Sequence, residues 1–144
     1  MKDQELILRF LALYFLVGNY VKPMKHFLNS FMGKNQHLKV YSAQDISSVF
    51  INSINLISHS IGDQAFRLKS RRINAAIFDA VMVGLALRLK NGSITNKSDV
   101  LSSYEELLKN QQFLDASVET ARTTETANVQ SRLDEAIKVF ANVV

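Results

Sequence analysis

The chain contains no cysteine, which excludes a disulfide framework, a thiol nucleophile and a thiolate metal site at one stroke. It also lacks an apolar run of membrane length. Phe10 to Val17 is the core of its most apolar stretch, well short of the roughly 20 residues a spanning helix needs. That stretch, LILRFLALYFLVGNYVKPMKHFLNSFM from Leu6 to Met32, is not a secretory leader either. Lys2 and Arg9 are balanced by Asp3 and Glu5, and no small-residue cleavage site follows the apolar run. It reads as core. The lack of cysteine fits a cytoplasmic bacterial protein.

Recognisable catalytic patterns are missing too. There is no G-x-S-x-G elbow, no S-x-x-K and no glycine-rich phosphate loop. The three histidines, His26, His37 and His59, have no i, i+3 or i, i+4 partner, so no local metal pair exists. Glu105 and Glu106 are adjacent and diverge by about 100° on a helix, which rules out a facing acid–base pair. Neither catalysis nor a bound cofactor or metal is expected of this chain alone.

What is present is helical periodicity in a chain of 144 residues, the size of one domain spanning 1–144. Apolar residues make up 47% of it and charged residues 21%, a composition able to build a packed core. Asp3 can cap a first helix from about Gln4 to Val17, apolar on nearly all sides. Pro23 suits the first turn of a second helix reaching Met32, with Gly33 as its C′ residue. Ser42 and Asp45 form a capping box for a third helix ending near Gly62. INAAIFDAVMVGLALRL, Ile73 to Leu89, is a second nearly all-apolar helix, closed by Asn91-Gly92. Ser98 caps a fifth helix through Val100, Tyr104 and Leu108. The stretch 117–128 turns Ser- and Thr-rich and reads as a flexible loop. An amphipathic segment from Val129 to Val144 ends the chain. Short strands at Leu38 to Tyr41 or Phe66 to Leu68 lack the length for a sheet. The expectation is an all-α bundle of about six helices around two central ones.

Charge stands out in two places. Arg67, Lys69, Arg71 and Arg72 form one basic cluster beside Phe66, within a chain of net charge +4. Such a cluster can hold phosphates, as in nucleic-acid binding, or can simply be solvated or paired with acids. On the residues alone the solvated reading is the plainer one. Arg9 and Asp79 lie where the core should be. An unpaired buried charge is costly, so the two are expected to pair across the central helices as a structural ion pair. The alternatives pair Asp79 with Arg71 or Arg72, or leave it at the rim.

Two segments carry a family resemblance. The first is D-x-E-L-x-L-R-F-L-A, at Asp3, Glu5, Leu6 and Leu8 to Ala12, followed by Tyr20 and by F-L-N-x-F-M at Phe27 to Met32. The second is N-x-A-x-F-D-A-x-M, at Asn74, Ala76, Phe78 to Ala80 and Met82. In this order they resemble the C-terminal helical region of a large family of bacterial proteins with an N-terminal ParB/sulfiredoxin-like domain, to which the GmrSD-type modification-dependent restriction enzymes belong. V-x-x-R-L, at Val129, Arg132 and Leu133, fits more loosely. The resemblance implies a C-terminal module of a longer phage-defence protein. Its partners would be its own ParB-like domain and DNA, and the parent activity nucleotide-stimulated DNA cleavage. That family's D-G-Q-Q-R motif is not found here, and Asp63 to Arg67 lacks its glycine, so no catalytic residue carries over. A module separated from its domain is expected to self-associate through its first or last helix. A stand-alone helical interaction or regulatory module, with no DNA role, is the competing expectation.

Overall fold

The computed structural model describes residues 2–118 and 122–144, and among them every regular element is helical. Seven α-helices follow one another: α1 (Lys2–Phe15), α2 (Met24–Lys34), α3 (Ala43–Ser60), α4 (Ala75–Leu89), α5 (Lys97–Lys109), α6 (Gln111–Val118) and α7 (Thr126–Phe140). Short 3-10 turns at Gln36–Leu38 and Gly62–Gln64 complete them.

The centre of the bundle is α4. Every residue from Ala76 to Ala86 is buried, as the all-round apolar sequence requires. Its most extensive partner is α7, whose Val129, Leu133, Ala136 and Phe140 form the stripe that faces inward. Gly84 makes this approach close. A Cβ there would sit 3.0 Å from the Ala136 backbone and from the Phe140 ring. Helices α5 and α6 pack on α7, while α1 and α3 pack on α4. Only Arg9 to Leu13 of α1 are buried, because α1 lies at the flank and shares its outer face with α2. The bundle therefore has one fully enclosed helix, and α1 is not its equal.

Local signals place several ends. Ser42 Oγ accepts from Asp45 N at 3.1 Å and caps α3, and Asn74 Oδ1 accepts from Ile77 N at 3.0 Å and caps α4. Pro23 stands just outside α2 as its N-cap residue, in extended conformation, and α2 runs through Gly33 to Lys34. Asn96, not Ser98, caps α5, with Oδ1 accepting from Asp99 N at 3.2 Å. Distant Val144 also bonds this start: its O accepts from Thr95 and Asn96, and its N donates to Asp99 Oδ2.

The helix the sequence does not announce is α6. Asn110 ends α5 and its Oδ1 accepts from Phe113 N at 3.0 Å, so one residue closes one helix and opens the next. The buried Phe113 then anchors α6. The expected loop at 117–128 is correspondingly shorter. Ser117 and Val118 end α6, Thr126 to Asn128 open α7, and 119–121 lie outside the described residues. The inward stripes of α1 and α7 are covered within the chain itself.

Candidate functional site

Two sets of charged residues stand out in the sequence, and they occupy opposite environments.

The first set meets in the core. Asp79, in the middle of α4, has no exposed surface, and Arg9 on α1 is buried beside it. Arg9 Nε lies 3.3 and 3.1 Å from the two carboxylate oxygens, and Nη2 donates to Oδ2 at 2.5 Å. Asp79 is far from any rim, and neither Arg71 nor Arg72 reaches it among the described ion pairs. A second cation does. Arg132 of α7, wholly buried, places Nη2 at 3.5 Å from Asp79 Oδ2. Its Nη1 donates to the carbonyls of Ala116 (3.3 Å) and Thr123, so one guanidinium ties α4, α6 and the turn before α7 together.

Burial pushes the Asp79 carboxyl above its ordinary value, against the pull of Arg9 and then Arg132. Burial also acts downward on Arg9, but its close contact with Asp79 outweighs this and the net shift is upward. Arg132 is shifted down by burial, with Asp79 opposing and Arg9 adding repulsion. We take Asp79 as ionised, since a neutral carboxyl would leave two guanidiniums uncompensated in the core. The cluster holds helices together.

The sequence signal for Arg132 was its position in the apolar stripe of the last helix, between Val129 and Ala136. Stripe counting by apolar residues alone passes over it.

The second set lies on the loop between α3 and α4. Phe66 begins it with φ of +67°, a left-handed conformation that costs a bulky residue about 1–3 kcal/mol. Its surroundings hold it there. Phe66 N donates to Tyr104 Oη at 3.1 Å, Phe66 O accepts from Asn74 N at 2.8 Å, and its ring meets Phe78 edge-on at 4.9 Å. The Phe66–Asn74 bond closes the loop at its base. Asn74 Nδ2 also donates to Ser117 O at 3.4 Å, which joins the loop base to α6.

Inside the loop Arg67 is a strut. Its Nε donates to Arg71 O at 2.8 Å, and its Nη1 to Asp63 O at 3.1 Å and Ala65 O at 3.2 Å. The acidic or aqueous partners expected of this cluster are, for Arg67, backbone carbonyls. Lys69, Arg71 and Arg72 are exposed, and none of them joins an ion pair among the described residues. The structure thus separates one loop-building arginine from three outward cations. Behind the loop runs a groove of about 830 Å³, with the loop as one wall and α6 as the other.

No cluster of three or more His, Asp or Glu suited to a metal occurs among the described residues. His59 Nδ1 sits 2.7 Å from Asn55 O, one turn back in its own helix. No described helix is long and apolar enough to cross a membrane. The chain matches no protein-family model, no curated protein and no solved structure.

Proposed function

We propose that the chain is a non-catalytic helical module that contacts DNA through the loop from Arg67 to Arg72. In this reading it is the C-terminal module of a ParB-domain, GmrSD-like defence protein and supports that protein's nuclease domain. The observation that carries the DNA contact is the outward display of Lys69, Arg71 and Arg72 on a loop closed at its base and braced by Arg67. Each phosphate contact by such a cation releases counterions, and a pre-shaped loop loses little freedom on binding.

The family part rests on the two helical segments. Their polar positions support it in a specific way: Arg9, Asp79 and the looser match Arg132 converge on one point in the core. Tyr20 and Asn74 each bond a neighbouring element, Tyr20 through Thr124 O at 2.6 Å. In this reading the matched positions serve the scaffold rather than an active site.

Fluorescence anisotropy of a labelled duplex, titrated with the chain at stepped salt, tests the DNA contact. The log of affinity should fall linearly with log salt. Changing Lys69, Arg71 and Arg72 together to Gln should reduce the slope by about one for each phosphate that is no longer neutralised. No affinity at low salt, or an unchanged slope in the variant, defeats the reading.

One observation favours a protein-interaction module instead. Ile46, Val49, Phe50 and Ile54 on α3 are only half-buried, and Ile51 beside them is 49% exposed. A stoichiometric protein complex with no DNA affinity would put that reading first.

A further inference from the structure

The groove behind the basic loop has a chemistry that DNA does not use. Leu68 of the loop, Leu108 of α5, and Leu114 and Val118 of α6 line it. Leu68 and Val118 are 40% and 45% exposed there, so the lining is open to solvent. Among the described residues no aromatic side chain lines it, which leaves a base or other flat ring nothing there to stack on. Its volume of about 830 Å³ falls in the range of small-molecule sites.

Among the described residues the cations and the carboxylate that line it stand on opposite walls. Lys69 and Arg72 stand on the loop wall, beside the internally bonded Arg67. On the opposite wall Asp115 accepts from Gln111 Nε2 at 2.7 Å. An anionic head is therefore drawn to the loop side and repelled from the α6 side. The walls are fixed relative to each other, because Asn74 bonds Phe66, Ile77 and Ser117 at their junction.

We infer that this groove binds an anionic aliphatic amphiphile, its chain along Leu68, Leu108, Leu114 and Val118 and its head at Lys69 and Arg72. The inference shares two cations with the DNA reading but does not depend on it.

Methyl-detected NMR of the labelled full chain tests it, with dodecanoate below its micelle concentration as probe and no DNA present. Dodecanoate should shift the methyl resonances of Leu108, Leu114 and Val118. Dodecyltrimethylammonium, of equal chain length and opposite charge, should bind about ten-fold more weakly, the worth of two solvent-exposed ion contacts. Lys69 and Arg72 changed to Gln should abolish that preference. Val118→Glu, at a position already exposed, should weaken dodecanoate binding without unfolding the chain, and Leu114→Ala provides an independent check on the groove. Equal binding of both head charges, shifts scattered away from the groove, an unaffected Val118→Glu variant, or binding only to phosphatidylglycerol vesicles would each overturn the inference. Groove binding without DNA affinity would defeat the DNA reading alone.

Discussion

Arg132 and Arg71 are the same residue in opposite settings. Arg132 has no exposed surface and directs its two Nη groups to Asp79 and two carbonyls, its Nε having no partner among the described residues, whereas Arg71 projects into water from the loop. The net positive charge of the chain is therefore divided by depth. Buried Arg9 and Arg132 bond across helices, whereas Lys69, Arg71 and Arg72 are exposed and join no ion pair among the described residues. Arg67 stands between, half-buried and bonded to its own loop. Charge alone does not separate these residues; the destination of their hydrogen bonds does.

The largest expected effect comes from breaking the buried set. Asp79→Asn leaves two guanidiniums without a carboxylate and should cost about 3–5 kcal/mol, read from the urea midpoint. A swap of Arg9 and Asp79 is a poor control, because it would set a new guanidinium against Arg132. The sharper one replaces Arg9 and Arg132 with Met and Asp79 with Leu together. That triple variant should recover part of the loss, since well-packed apolar side chains can replace a buried ion cluster, while the Ala116 and Thr123 carbonyls lose their Arg132 donor. If it is no more stable than Asp79→Asn, the charges are not what makes the single change costly.

A smaller effect is expected where α4 meets α7. Gly84→Ala drives a methyl group against the Ala136 backbone and the Phe140 ring at 3.0 Å. Overpacking of this kind should destabilise the chain by about 1–3 kcal/mol, again by urea unfolding. An unchanged midpoint would mean that the two helices separate readily.

Alkali should expose a milder dependence. Burial raises the phenols of Tyr14, Tyr20 and Tyr104 above their ordinary value. The folded state then holds these protons more tightly than the unfolded one. Stability is complete below about pH 10 and declines as the pH rises through the folded-state values. Phenolate absorbance should lag behind that of a free tyrosine standard. Titration superimposable on the standard would contradict the burial of Tyr20 and Tyr104.

Much of this arrangement was legible in the sequence, for physical reasons that particular residues show. The first and fourth helices both read as apolar on nearly all sides; α4 is enclosed, whereas only Arg9 to Leu13 of α1 are buried, because α1 lies at the flank. Ser42 and Asp45 carry their cap within four residues, so no tertiary information was needed. Asn96 and Ser98 are both good caps, and the bonds that distant Val144 makes to Thr95, Asn96 and Asp99 cannot be read locally. The start of α6 was hidden because Asn110 serves two helices at once. The basic cluster was visible as four cations, but the turn of the chain at Phe66 was not. No local rule places a bulky aromatic at positive φ, and Tyr104, Asn74 and Phe78 hold it there from other elements. For the same reason Arg67 could not be told apart from its neighbours before the fold was known.

The division of charge by depth is tested most directly by one paired measurement on the variant with Lys69, Arg71 and Arg72 changed to Gln. Its urea midpoint and its duplex affinity would be compared with those of the parent chain at the same low salt. The account predicts stability within about 0.5 kcal/mol of the parent together with a marked loss of DNA affinity. A destabilised variant, or a stable one that binds DNA as the parent does, would contradict it.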